Sequence, residues 1–475
     1  MHTQLYINGQ WRDSSDGSTF EVLNPFDESV IATVASATVE DGIAAIDAAD
    51  AAFGDWAARS PRERGEILRK AFELFTDNLD HFAKTITLEN GKAGADAMAE
   101  AKYSAEFFRW YAEEAVRPEG YLGPAPSSGA RTLVHTKPAG IAVLVTPWNF
   151  PAAMGTRKIA PALAAGCPVV VKPAGATPLT MLELMPILEE AGVPPGIVNI
   201  VPSKSSGKIV DAMLHDGRVR VVSFTGSTEV GRILLRAAAD NIIKPAMELG
   251  GNAPFLVFDD ADIEAAADGL MLAKMRNMGE ACTAANRIYV HDTVHDQFVE
   301  TFTNRMAALK MGNGLDEDVD VGPLVNAETR DKVADLVKDA IDKGATVKLG
   351  ANTPNGKGFF YPPTVLTDVP ADAECVNEEI FGPVAAIQRF SDTDDVVRRA
   401  NDTIYGLVAY LYTGDLKKGL AVSERLDYGM VGLNRGLVSD PSAPFGGVKQ
   451  SGIGREGGRE GIREFTETQY ISTLW

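Results

Sequence analysis

Apolar residues follow two alternating textures between positions 141 and 258. Ile141-Ala142-Val143-Leu144-Val145, Pro168-Val169-Val170-Val171, Ile197 to Val201, Val219 to Phe224 and Ala253 to Phe258 are short, nearly continuous apolar runs. Runs of that length, bounded by turn residues, predict strands buried on both faces. Stretches of helical spacing separate them. Helices are expected from about Thr156 to Ala165, from Thr177-Pro178 to Gly192, and from Gly226–Gly231 to about Ala239. Thr177 is read as an N-cap with proline at the first helical position. Strands alternating with helices imply βαβ units, hence a parallel sheet covered on both faces.

The flanking regions are less regular. Leu5-Tyr6-Ile7 followed by Asn8-Gly9 predicts a strand entering a hairpin. An Ala-rich helix is expected from Val39 to Trp56. Another starts near Pro61, with Ile67, Leu68, Phe72 and Phe75 on one face, and helical patterns continue to about Val116. The Pro- and Gly-rich stretch 118–129 breaks this pattern. Arg131 to Thr136 then alternates weakly, as an exposed strand or arm does. Residues 262–445 repeat the α/β alternation, with helices expected at 293–309, 326–343 and 392–401 and strands near 287–290, 384–390 and 407–412. Gln469 to Leu474 reads as a last strand. A chain of 475 residues with this organisation predicts two or three domains.

One helix leads to a reactive residue type. Ile263, Ala266, Ala267, Leu270 and Met271 lie on one face, with Asp259 or Asp260 as cap and Gly279 as the terminator. Cys282 therefore falls in a short loop ahead of the strand-like Arg287-Ile288-Tyr289-Val290. A thiol held between two packed elements suits nucleophilic catalysis. It also suits a small buried hydrophobe.

Composition narrows the field. The chain is 45% apolar and 23% charged, as soluble globular proteins are, with a formal net charge of −20. That charge disfavours nucleic acid and anionic membrane surfaces, and an anionic substrate would need a local basic site. No apolar run reaches the length of a membrane span, and Met1 to Trp11 does not resemble a signal peptide. The three cysteines, at 167, 282 and 375, form no disulfide framework, and no Cys/His group has metal-ligand spacing. A reducing cytoplasm is the expected compartment.

Four further positions gather at strand ends, where open α/β sheets bind ligands. Asn149, in Pro147-Trp148-Asn149-Phe150-Pro151, can donate to an oxyanion or serve a turn. Lys172, in Lys172-Pro173-Ala174, can meet hydroxyls or phosphate, or reach solvent. Phe224-Thr225-Gly226-Ser227 is a glycine-containing turn into a helix, able to hold phosphate. Glu248, in Glu248-Leu249-Gly250-Gly251, can project from a tight turn into a cleft or be solvated.

Taken in order, these stretches with Glu378-Glu379-Ile380-Phe381-Gly382-Pro383 and Pro444-Phe445-Gly446-Gly447 resemble the aldehyde dehydrogenase superfamily over nearly the whole chain. Thr156-Arg157-Lys158, Ala273-Lys274-Met275-Arg276-Asn277 and Gly432-Leu433-Asn434-Arg435-Gly436-Leu437-Val438-Ser439 bring it closest to the succinate-semialdehyde dehydrogenases. The resemblance implies a Rossmann-like cofactor domain (1–122 and 141–250), an α/β catalytic domain (251–446), and a β-arm (123–140 and 462–475) that joins a homodimer or homotetramer. It implies Cys282 as nucleophile, Asn149 as oxyanion donor and Glu248 as base. It places Thr146, Pro147, Trp148, Lys172, Ala174, Gly175, Gly226, Ser227, Leu249, Glu379 and Phe381 around a nicotinamide cofactor, with no metal. Arg157, Arg276 and Ser439 would hold the substrate carboxylate, as guanidinium forks do; a structural ion pair is the other reading of each arginine. Two departures carry expectations. Ala284 stands where many relatives have a second cysteine, so no local disulfide switch is expected. Gly175 stands where NAD-preferring relatives often have Glu, which favours NADP while NAD stays possible. Glutarate semialdehyde or an uncharged aldehyde are alternative substrates, and a non-catalytic binding protein of the same fold is the rival of another class.

Overall fold

Two largely parallel sheets organise the chain, the first with antiparallel strands at both edges and the second at one. The computed structural model describes residues 1–354 and 356–475. The first sheet has the order Gly452–Ile453, Lys244–Glu248, Val219–Thr225, Ile141–Val145, Val169–Lys172, Val198–Ile200, Leu5–Ile7, Gln10–Arg12. The five central strands are parallel, and the outer pairings at both ends are antiparallel. Four of the five apolar runs expected between 141 and 258 form its core strands, each buried along nearly its whole length, while the fifth, Ala253–Val257, enters the second sheet. Lys244–Glu248 has a lysine and a proline at its start and no continuous apolar run, so the spacing argument passes over it.

The second sheet has the order Thr346–Leu349, Thr364–Thr367, Val384–Phe390, Ala285–His291, Ala253–Val257, Val408–Tyr412, Met430–Leu433. It is parallel except at Thr346–Leu349. Separate apolar cores lie on the faces of the two sheets. Only residues 249–252 join Lys244–Glu248 of the first sheet to Ala253–Val257 of the second. The chain therefore crosses from one sheet to the other at the Glu248-Leu249-Gly250-Gly251 motif.

Three helix starts differ from expectation, and each difference has a physical cause. The helix Ile263–Met275 is capped by Asp262, whose side chain accepts from Ala265 N at 3.1 Å, not by Asp259 or Asp260. The helix Leu179–Ala191 begins two residues after Thr177, which does not cap it. The buried carboxylate of Glu89 does so instead, accepting from Leu179 N at 2.7 Å and Thr180 N at 2.9 Å. The helix Pro151–Ala165 starts five residues before the expected Thr156. Its first turn is capped by Glu100, which accepts from Ala152 N at 2.9 Å and Ala153 N at 3.2 Å. A carboxylate on a neighbouring helix satisfies the free N–H groups of a helix start as well as a local Ser or Thr does.

Arg131–Pro138 pairs with Gly120–Pro124 and with Thr466–Thr473, forming a three-stranded antiparallel arm. Tyr121, Leu122, Tyr470 and Ile471 are exposed on it, and Leu474 and Trp475 just beyond it. No helix is long and apolar enough to cross a membrane among the described residues.

Candidate active site

A cleft of about 380 Å³ opens between the two sheets. Cys282, Asn149, Arg157, Arg276 and Ser439 line it, with Pro147, Trp148, Gly226, Ser227, Leu249, Glu379 and Phe381. Twelve of the residues singled out from sequence thus share one cavity, although they come from positions spread over 293 residues of chain. Glu248, Thr146, Lys172, Ala174 and Gly175 do not line it. They sit at the strand ends beside it: Lys172 pairs in register with Val145, and Gly226 N donates to Glu248 O at 3.1 Å.

The loop that carries Cys282 is built on unusual backbone. After Met275 the chain passes through Asn277 (φ 51°), Met278 (φ 56°) and Gly279 (φ 80°), three consecutive left-handed residues. Such conformations cost about 1–3 kcal/mol for a non-glycine residue and persist only where the surroundings enforce them. Here Asp96 accepts from Asn277 N at 2.7 Å, and Glu280 N donates to Asn277 O at 2.8 Å. A turn closed by Ala284 N to Ala281 O at 2.9 Å then presents Cys282, which is partly exposed in the cleft. Tyr410 fixes the next carbonyl, donating to Thr283 O at 2.9 Å.

Asn149 is held from behind. Its carbonyl accepts from the Lys92 ammonium at 2.7 Å and from Asn277 Nδ2 at 2.9 Å, while its own amide donates to Glu280 O at 3.0 Å. Lys92 is fully buried, paired with Glu100 at 2.5 Å and set over the Phe150 ring at 4.1 Å. One network therefore ties the Asn149 turn to the Cys282 loop. Neither Lys92 nor Asn277 was marked as functional by local pattern, because each acts through a partner far along the chain.

Glu248 is buried, 2% exposed, and neither carboxylate oxygen has a hydrogen-bond partner. Burial first, then the like charge of Glu456, raise its pKa well above the usual carboxylate range, against the pull of Arg157, Lys158 and Arg455. Burial likewise pushes the Cys282 thiol up to about 12; Arg157 and Arg276 oppose the shift, while Glu379 and Glu248 add to it. The Cys282 thiol thus holds its proton at neutral pH in this state, and that proton must move before the sulfur attacks.

The two arginines differ. Arg157 is fully buried, with its Nε 2.5 Å from Glu456 Oε2 and its guanidinium 4.2 Å above the Phe445 ring. Glu456 also pairs with Lys158. The ion pair weighed from sequence is present for Arg157, even though its side chain reaches the cleft. Arg276 has no carboxylate within 4.0 Å among the described residues. It lies 4.6 Å over the Phe150 ring and donates to Ser439 Oγ at 3.3 Å. Glu456 lies in the glycine- and charge-rich tail and gave no local signal; only folding brings it 298 positions back to Lys158.

Around the strand ends, the donor set suits a dinucleotide. Lys172 is buried with no carboxylate within 4.0 Å among the described residues, and burial lowers its pKa to about 8. Beside Gly175 there is open space, since a Cβ there would meet only Ser203 O at 3.9 Å. Glu379 is half-buried, accepts from Gly251 N at 3.1 Å and is raised to about 7 by desolvation. Trp148 and Phe381 meet edge to face at 5.4 Å on the cleft wall. Ser227 caps the helix Thr228–Asp240, accepting from Val230 N at 3.3 Å, and so stands at a helix N-terminus that favours anions.

This arrangement has counterparts among known proteins. The chain matches the aldehyde dehydrogenase family over residues 11–471 and belongs to it. It is 51% identical over 442 residues to a succinate-semialdehyde dehydrogenase of Paenarthrobacter nicotinovorans, covering 93% of this chain and 98% of that one. It is 45% identical to a glutarate-semialdehyde dehydrogenase of Pseudomonas putida, covering 98% of this chain and 97% of the relative. A crystal structure of an NADP-dependent enzyme from E. coli superposes with a TM-score of 0.98 at 44% identity, covering 100% of this chain and 98% of that one.

Proposed function

We propose that the protein oxidises a short ω-carboxy aldehyde, succinate semialdehyde foremost, to the dicarboxylic acid. The observation that carries this substrate class is Arg276. A guanidinium facing the cleft of Cys282 with aromatic neighbours, a serine hydroxyl and no carboxylate partner is poised for an anion. On a chain of net charge −20, such a site is what an anionic substrate requires. The 51% identity to a succinate-semialdehyde dehydrogenase supports the four-carbon substrate. The 45% identity to a glutarate-semialdehyde dehydrogenase keeps the five-carbon homologue as the second reading.

In this reading the Cys282 thiol first loses its proton to solvent, and the resulting thiolate adds to the aldehyde carbon. The Asn149 amide and the Cys282 backbone N–H stabilise the oxyanion, for which the network behind Asn149 pre-orients the donor. NADP⁺ or NAD⁺ supplies the hydride acceptor when bound. Lys172 and Glu379 would hold its ribose hydroxyls, Gly175 would leave room for a 2′-phosphate, and Ser227 and Phe381 would adjoin the pyrophosphate and nicotinamide. Thr146, Pro147, Trp148, Ala174, Gly226 and Leu249 would complete the wall. Glu248 then takes a proton from the water that hydrolyses the Cys282 thioester. Arg276 and Ser439 hold the distal carboxylate, with Arg157 behind them.

The division of labour follows the sheets: 1–122 with 141–250 for the cofactor, 251–446 for the nucleophile, and 123–140 with 462–475 for assembly. The exposed apolar residues of the arm support a homodimer or homotetramer. Three unpaired cysteines suit a reducing cytoplasm. Reduced-cofactor absorbance tests the reaction, with succinate semialdehyde, glutarate semialdehyde and butanal offered in turn with NADP⁺ and NAD⁺. Higher kcat/KM for butanal than for both semialdehydes would reject the substrate class.

A further inference from the structure

The geometry points to Tyr103 as a further specificity-determining residue, whose hydroxyl donates to the substrate's distal carboxylate. This rests on the carboxy-aldehyde reading of the cleft and adds a contact to it. Tyr103 comes from the helix Gly94–Glu114, whose other contributions, Asp96 and Glu100, support the loops behind the cleft. Its ring lines the cleft and packs with Phe150, Met154 and Ala281. Phe107 meets it edge to face at 4.9 Å, which fixes the ring plane. Its hydroxyl is buried, yet it makes no hydrogen bond.

A buried hydroxyl without a partner is costly, and proteins rarely leave one so unless a ligand or water completes it. The charges around this one say which kind of ligand. The Arg276 guanidinium lies 5.7 Å from the ring centre, on the side of Ser439. Arg157 also lies close, and its charge, with that of Arg276, offsets part of the rise in pKa that burial imposes on the phenol. The nearest acidic group, Glu456, is already paired with Arg157 and Lys158 and takes no hydrogen bond from this hydroxyl. A carboxylate brought to Arg276 and Ser439 would supply an acceptor. Three donors of different geometry would then read the carboxylate: a fork from Arg276, a hydroxyl from Ser439 and a phenol from Tyr103.

Sites built to hydrogen-bond a substrate group discriminate against analogues that lack it, because the site's own polar groups are left unpaired. An uncharged aldehyde therefore gains nothing from Tyr103. Tyr103→Phe keeps the ring and its packing and removes only the donor. The test compares wild type, Tyr103→Phe and Arg276→Ala on succinate semialdehyde and butanal, with melting curves of all three. A hydrogen bond to a charged group corresponds to roughly 10- to 100-fold in kcat/KM. The ratio of kcat/KM for the semialdehyde to that for butanal should fall by that factor in Tyr103→Phe, with a melting temperature no lower than wild type. A lower melting temperature with equal losses on both aldehydes would make the hydroxyl structural and overturn the proposal. A selective loss in Arg276→Ala without one in Tyr103→Phe would also overturn it, while leaving the substrate class standing. A wild type that does not favour the semialdehyde would reject both.

Discussion

Gly251 lies against Cys282 so closely that a Cβ at that position would sit 2.4 Å from the Cys282 carbonyl oxygen. The residues that cross from one sheet to the other thus form the floor under the nucleophile. This is where Gly251, the second glycine after Glu248, has its purpose: the constraint is a close approach of two backbones, not a left-handed turn. Gly251→Ala should displace the Cys282 loop, since backbone cannot give way as a side chain does. Overpacking of this kind costs about 1–3 kcal/mol in stability, and kcat should fall at least tenfold. Melting curves and kcat together decide it. A variant with wild-type turnover would show the approach to be tolerated.

Cys282→Ala should abolish aldehyde oxidation with the fold intact, and Glu248→Gln should spare the first turnover. In Glu248→Gln a pre-steady-state burst of reduced cofactor should survive while the steady rate collapses, because the thioester forms but is not hydrolysed. The raised pKa of Glu248 gives the pH dependence its sign. A base works when deprotonated, so the hydrolytic step is lost as pH falls through the raised value and recovers as pH rises. The acid limb of the steady rate should therefore lie above the ordinary carboxylate range of about 4 to 5. A limb at or below 4.5 would remove Glu248 as the buried base.

Arg276→Ala and Arg157→Ala should behave differently, contrary to what their shared motif context suggests. Losing one partner of a buried charge-assisted contact costs roughly 2–5 kcal/mol. At about 1.4 kcal/mol per decade, Arg276→Ala should lower kcat/KM on succinate semialdehyde about 30-fold or more, with a much smaller effect on butanal. Arg157→Ala removes a partner of Glu456 inside the protein, where breaking a buried pair costs about 3–5 kcal/mol. Its melting temperature should drop and both aldehydes should suffer. Equal, unselective losses in the two variants would mean that both arginines are structural.

NADP⁺ should serve at least as well as NAD⁺, and Gly175→Glu should reverse the preference. The open space beside Gly175 can admit a 2′-phosphate. A carboxylate placed there would repel it, by several kcal/mol on the order expected for desolvated like charges. Initial rates with both cofactors, for both proteins, check this. A strong native preference for NAD⁺ would refute it.

What the sequence by itself determined was local. Strands such as Ile141–Val145 and Val169–Lys172 were legible because burial on both faces leaves an unbroken apolar run. The strand Val384–Phe390 and the helix Thr393–Asn401 fell within a residue of their expected bounds for the same kind of reason: spacing records which face is buried. The residues of the cleft were legible by type and by their resemblance to a family, Cys282 among them. Tertiary structure decided how those residues are charged and held. Glu248 is buried and unpartnered because Gly446, from the far end of the chain, packs over it, with Glu248 Oε1 2.7 Å from where a Cβ on Gly446 would lie. Arg157 is ion-paired because Glu456 folds back onto it, whereas Arg276, in an equally suggestive motif, meets only rings and a hydroxyl. The helix start read as capped by Thr177, and the one placed near Thr156, are set by Glu89 and Glu100 on other helices. In each case the deciding partner is tens to hundreds of residues away. Hydrogen bonds, desolvation and ion pairing act over a few ångströms of space, and local spacing carries no record of which distant segment packing will bring there.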